Sequence, residues 1–338
     1  MSIRYIASQP AAENTLSATV LQQIRREFGA EVEPFTLHQP LPELLAGVWM
    51  ACRESLLAGS GRRDAKELIA ATISALNGCP YCVDAHSIMF LHSSEDRNAD
   101  SILASISEGL PARIEDPFLQ SIASWAQATR TPGAPVLSSP PFSLEEAPAY
   151  IGTAVIFHYI NRMVTILLGA SPLPFTRGLP KKLSMQVAAW FFGSAIRLEK
   201  EPGTSLMLLQ EAELPDDLLW AKPSPNVSGA FARLARAVEQ AGSSALSSEV
   251  RLVVTRAVAS WNGIDPEISS GWYEEATQGL GATDKIAAKL ALLTALAPYR
   301  VDEPIVNAFT AAFPGDAKLL SLLAWSSFTA ARKIGTWL

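Results

Sequence analysis

Apolar residues recur along this chain at three- and four-residue intervals, and no stretch shows the strict alternation of a half-buried strand. Leu68, Ile69, Thr72, Ile73 and Leu76 share one helical face. Asp64 ahead of them, with Glu67 three residues on, reads as an acidic N-cap with a capping-box partner. Asn77-Gly78 stops that helix, and Pro80 suits the first position of the next, where its missing N–H costs nothing. Ile151 to Ala170 is mostly apolar and long enough to cross a bilayer. His158, Asn161 and Arg162 in its middle would be costly there, so a buried bundle helix is the better reading. Further helices are expected over 250–260 and 319–337. Another is expected over 181–199, between Pro/Gly-rich stretches near 172–180 and 202–226. Within it Lys181-Lys182 reads as a solvated start and Trp190-Phe191-Phe192 as core or interface. The fold class this predicts is all-α.

The second half echoes the first. Trp261-Asn262-Gly263 ends a helical run as Leu76-Asn77-Gly78 does, 185 residues earlier. The last helix, with Ala331-Arg332-Lys333, parallels Asn161-Arg162-Met163 at an offset of 170. The Pro/Ser-rich loop 131–148 is the plausible source of the difference. The expected organisation is a first copy over 1–170, a connecting segment over 171–225 and a second copy over 226–338.

Chemistry concentrates at one place. Glu67, Cys79, Cys82 and His86 form the pattern E-x11-C-x2-C-x3-H. Cys79 falls at a helix N-terminus, where the helix dipole favours thiolate. Cys82 lies in the first turn and His86 one turn further, on the same face. At about 1.5 Å rise per residue, two helices folded back at Asn77-Gly78 would bring Glu67 and His86 to similar heights. His86 could then take the Cys82 proton while Glu67 holds the imidazole. Two thiols at i, i+3 can close a disulfide, and a sulfenic acid on one would be captured by the other. Cys82, nearer His86, is the expected attacking thiol, and Cys79 the more exposed, resolving one. At the offset of the second copy these four positions become Leu252, Ile264, Glu267 and Gly271, so every chemical group is lost.

Other readings compete. A glutaredoxin-like CPYC needs a strand running into the first Cys, and a helical segment precedes it here. Zinc could take Cys, Cys, His and Glu, but closed sites draw two spaced ligand pairs and here three candidates crowd into eight residues. Two buried structural thiols beside a satisfied core histidine is the plain alternative. Cys52, in an apolar run, reads as a small core residue. His158 reads more readily as a core hydrogen-bonding group than as part of the redox face. Trp261, Trp272, Tyr273 and Glu267 could line a pocket in the second copy, though aromatics there fit a core.

Composition narrows the setting. The net charge is −6 with no basic cluster, which argues against nucleic acid. Only 18% of residues are charged and 49% are hydrophobic, as expected where helices keep apolar faces for subunit contact, so a homo-oligomer is expected. The N-terminus has no apolar signal-peptide core, and three cysteines fit a reducing cytoplasm.

Glu67, the run Asn77-Gly-Cys-Pro-Tyr-Cys-Val-Asp-Ala-His86 and Phe157-His-Tyr-Ile-Asn-Arg-Met163 resemble the AhpD-type alkylhydroperoxidase and carboxymuconolactone decarboxylase family, over roughly 35–170. The resemblance implies an AhpD-like helical bundle, here in two tandem copies, the second degenerate. It implies hydroperoxide reduction with Cys82 as the sulfenic-acid-forming thiol, Cys79 resolving and Glu67 with His86 as proton relay. It also implies recycling by a lipoyl or thioredoxin-like dithiol protein, with no bound cofactor or metal. Asn161 and Arg162 take a structural, helix-end role in that likeness. The best-known member has a His before its second Cys, where this chain has Tyr81. Thiol–disulfide exchange and lactone decarboxylation by His86 and Glu67 are the alternative activities, and a helical binding or assembly protein the non-enzymatic one.

Overall fold

The computed structural model describes residues 3–7, 11–96, 98–168 and 200–338. The helix expected over 181–199, with Lys181-Lys182 and Trp190-Phe191-Phe192, lies outside them. Among the described residues there is no β-strand, as the hydrophobic periodicity predicts. The first half contains α1 (Leu16–Phe28), α2 (Glu33–Thr36), α3 (Pro42–Cys52), α4 (Arg63–Leu76), α5 (Pro80–Ser93), α6 (Ala99–Ser107), α7 (Pro117–Ala128), α8 (Pro135–Ser138) and α9 (Ala147–Leu167). The second contains α10 (Pro225–Ala245), α11 (Ser248–Ser260), α12 (Gly271–Ala276), α13 (Ala282–Leu296), α14 (Glu303–Ala312) and α15 (Asp316–Gly335).

The long apolar segment is α9, buried along almost its whole length. No helix among the described residues is long and apolar enough to cross a membrane. α4 packs against α5, α7 and α9, and the second half is laid onto the first by α15 along α9 and α10 along α3. One continuous set of buried apolar side chains runs through both halves.

A π-helical turn, Arg53–Leu57, continues α3 and places two charges in the interior. The Glu54 carboxylate accepts from Arg53 Nη1 at 2.6 Å, Ser205 Oγ at 2.6 Å, the Gly203 N–H at 2.7 Å and Asn226 Nδ2 at 3.0 Å. A buried carboxylate is tolerable only when satisfied in this way. It fastens the connecting segment to the first half.

The expected start of α4 shifts. The N-cap is Arg62, in extended conformation, and Asp64 lies inside the first turn. There its carboxylate accepts the Ala65 N–H at 2.8 Å and both ends of the Arg62 guanidinium. Glu67 is not a capping-box partner, because the N-cap is Arg62 and the Glu67 carboxylate is taken up by Arg63 and His86.

In the second half, α11 ends at Trp261 and the chain runs without helix until the six-residue α12. Where the first half begins a long helix directly after Asn77-Gly78, the second has only this six-residue helix. Leu252 and Ile264 are exposed there.

Candidate active site

The turn between α4 and α5 builds the site. Gly78 adopts φ +63°, the left-handed conformation that closes a helix. The Gly78 N–H donates to Ala75 O at 3.1 Å and the Cys79 N–H to Ser74 O at 2.9 Å, the paired bonds of a Schellman ending. That ending delivers Cys79 to the N-cap of α5, with Pro80 at its first position.

Cys79 and Cys82 stand with their sulfurs 2.9 Å apart, both reduced. Neither is exposed: Cys79 is 1% accessible and Cys82 2%, so Cys79 is not the more open thiol expected from its place on the turn. The turn is roofed by α9, whose Asn161 reaches down to it. Burial would raise the Cys79 pKa, but the Cys82 thiol and backbone N–H, with the Asn161 amide, hold it below the ordinary thiol value. Cys82 is pushed well up, by burial first and then by Cys79. Of the two thiols, Cys79 at the helix N-terminus is therefore the one that gives up its proton more readily.

Glu67 and His86 meet as the folded-back helices allow. Glu67 is fully buried and its Oε2 lies 2.6 Å from His86 Nδ1, while Oε1 accepts from Arg63 Nε at 2.8 Å and Nη2 at 2.5 Å. Burial would raise the Glu67 pKa, but Arg63 and His86 outweigh it and keep the carboxylate ionised. Facing an ionised carboxylate, Nδ1 is the nitrogen that carries a proton, which leaves Nε2 as the base. The Phe157 ring meets the imidazole edge-on at 4.4 Å.

A cavity of about 300 Å³ opens onto this face of α5. Cys82 and His86 line it; Cys79 does not. The rest of its wall is largely apolar, with Phe28, Val32, Phe35, Met89 and Phe157 among its residues. Tyr81, between the two cysteines, donates its O–H to Glu33 Oε2 at 2.7 Å and so ties α5 to α2 across the cavity. Cys52 also lines it, as a buried residue of α3 whose thiol burial pushes up to about 12. At neutral pH it behaves as the small core residue expected.

Asn161 is the residue whose place the sequence reading missed. Rather than a helix end, it occupies the interior of α9. Its Oδ1 accepts from Asn77 Nδ2 at 2.9 Å and its Nδ2 donates to Ser74 Oγ at 3.0 Å, binding the α4–α5 turn from above. Arg162 is likewise interior, donating to Ala295 O at 2.9 Å and His158 O at 2.6 Å. The neighbouring Phe157-to-Met163 run was a signal, but nothing local says which side chain points at the turn. His158 is a core group as expected: Nδ1 lies 3.1 Å from Asn77 Nδ2 and Nε2 2.9 Å from Thr129 Oγ1.

The chain is similar to known proteins. The carboxymuconolactone decarboxylase family profile matches residues 42–99, which hold all four candidate residues. An alkyl hydroperoxide reductase of Mycobacterium tuberculosis, Rv2159c, is 40% identical over 323 residues, covering 95% of this chain and 90% of its own length.

Proposed function

Since the chain belongs to the carboxymuconolactone decarboxylase family and is an AhpD-like oxidoreductase, we propose that it reduces organic hydroperoxides through a Cys79–Cys82 couple. The observation that carries this reading is the cavity wall on which Cys82 and His86 lie together, with Glu67 behind the imidazole. Cys82 gives its proton to His86 Nε2, and the sulfur attacks one peroxide oxygen. The S–O bond forms as the O–O bond breaks. The alkoxide leaves with the proton from His86, giving an alcohol and a Cys82 sulfenic acid. The Cys79 thiolate then attacks the Cys82 sulfur; hydroxide departs, is protonated to water, and a disulfide closes.

Two electrons must come back from a dithiol. Both sulfurs are nearly inaccessible, which favours a slender lipoyl-like dithiol entering by the cavity over a thioredoxin-like protein dithiol meeting them face to face. The second half serves in this reading as a degenerate copy over 226–338. It covers the catalytic copy over 1–170 as a second subunit would, joined by the segment 171–225. Self-association of the whole chain and a reducing, cytoplasmic setting complete the proposal.

Stopped-flow oxidation of the fully reduced protein by cumene hydroperoxide tests it, in wild type and Cys82→Ser. The expected result is thiol loss much faster than for a free thiol, ending in a Cys79–Cys82 disulfide and vanishing in Cys82→Ser. Oxidation at the free-thiol rate would overturn it. Fast oxidation by a small disulfide but not by peroxide would put thiol–disulfide exchange in its place.

A further inference from the structure

A second cavity of about 250 Å³, which shares no lining residue with the first, lies between the two halves. Asn77, Gly78 and Asn161 form its wall on one side, Leu296 and Tyr299 its wall on the other. Two guanidinium groups reach it, Arg130 from the end of α7 and Arg162 from α9, with one carboxylate, Asp265.

The charges there do not balance. Arg162 is only 4% exposed, and its described partners are the carbonyls of Ala295 and His158, not a carboxylate. Burial first, then the charge of Arg130, push its pKa down to about 9. Arg130 donates Nε and Nη2 to Gly263 O at 3.1 and 2.8 Å, and Nη2 also meets Asp265. Asp265 is itself half exposed. Gly263 has φ +88°, and a Cβ there would strike the Arg130 carbonyl, so the strand-like chain after α11 is drawn tightly against this corner. Both guanidiniums lie over the Trp261 ring, 5.5 and 5.8 Å from its centroid. The indole face attracts both guanidiniums, but it cannot neutralise two cations.

A buried cation without a counter-charge is unfavourable, and a planar guanidinium offers paired N–H donors that match an oxyanion. We propose that this cavity is a binding site for a small oxyanion, a carboxylate or phosphate group, held between Arg130 and Arg162 in competition with the Asp265 carboxylate. An occupant would touch the Asn77-Gly78 turn, which also lines this cavity. The site does not depend on the peroxidase reading.

Thermal unfolding and calorimetric titration of the full chain test this, with inorganic phosphate and succinate as probes against chloride at equal ionic strength. Wild type should show a saturable rise in melting temperature with at least one probe beyond the chloride control. The stronger of the two identifies the source of the oxyanion. Arg130→Gln should weaken binding about tenfold, the scale of one charge-assisted pair. Asp265→Asn should tighten it several-fold, because it removes the competing carboxylate; a purely structural ion pair would give lower stability and no tighter binding. No rise beyond chloride in wild type, or an unchanged affinity in Asp265→Asn, overturns the proposal. The Asp265→Asn arm stands even if Arg130→Gln does not fold.

Discussion

Glu67 Oε2 lies 2.6 Å from His86 Nδ1, although the two residues belong to different helices and are separated by the Asn77-Gly78 turn. The imidazole is thereby held with its other nitrogen free, on the cavity wall that Cys82 shares. Glu67→Gln keeps the shape and a hydrogen-bonding group but loses the charge that fixes the tautomer. Oxidation of the reduced protein by an organic hydroperoxide should slow on the order of 100-fold, within the range of a general base. Stopped-flow rates and circular dichroism on the same samples check it. A loss under threefold in a folded variant would remove Glu67 from the relay.

Tyr81 and Glu33 close the outer side of the peroxide cavity with a 2.7 Å hydrogen bond. Tyr81→Phe retains the ring and the filled volume while releasing α2 from α5. The rate with cumene hydroperoxide should rise relative to that with hydrogen peroxide by about fivefold, the factor that one net hydrogen bond of about 1 kcal/mol contributes. Equal changes for both peroxides would show that the bond does not restrict the cavity.

Asn161 holds the turn beneath the buried thiol pair through Ser74 and Asn77, and its amide helps to keep Cys79 below its ordinary pKa against the opposing effect of burial. Asn161→Ala should raise that pKa. The alkali-side shift would appear in the pH dependence of iodoacetamide labelling, read residue by residue by mass spectrometry. At pH 7 modification of Cys79 should be several-fold slower, on the scale of about 1 kcal/mol for one lost polar interaction. Urea unfolding at neutral pH separates this effect from a general loss of the turn.

The legible part of this protein is its local part. Gly78 and Pro80 fix the α4–α5 turn, because a left-handed residue and a proline at a helix start each leave few alternatives. Glu67, Cys79, Cys82 and His86 could be placed from that turn and the helix rise alone. The α4 start was misplaced by two residues because Asp64 serves equally well inside a first turn, where it faces the positive end of the helix dipole. Neither the Tyr81–Glu33 bond nor the Arg130–Asp265 pair has a local signal. Each joins residues far apart in sequence, and only the packing of the helices brings them together. The exposure of Cys79 failed for the same reason: a turn is open by itself, and it is α9 that covers this one.

Acid should destabilise the fold through two buried histidines that take no part in the proposed reaction. His38 is fully buried, with Nδ1 3.3 Å from Phe35 O and Nε2 2.7 Å from Tyr159 Oη. The carbonyl requires Nδ1 to donate, so Nε2 accepts from the tyrosine and the ring is neutral. Burial lowers its pKa from 6.5 to about 3. His158 is shifted the same way, by burial and then by Arg162 and Arg130. Each is a base with a depressed folded pKa, so below pH 6.5 the unfolded chain binds a proton that the folded chain refuses. The stability is complete above pH 6.5 and declines as the pH falls from 6.5 toward 3. Each group contributes a slope of up to about 1.4 kcal/mol per pH unit. Urea midpoints at pH 7, 5 and 4 should fall steadily in wild type. In His38→Gln the starting stability should be lower and the fall less steep by about one group's share. Parallel curves for the two proteins would show that His38 is not held neutral.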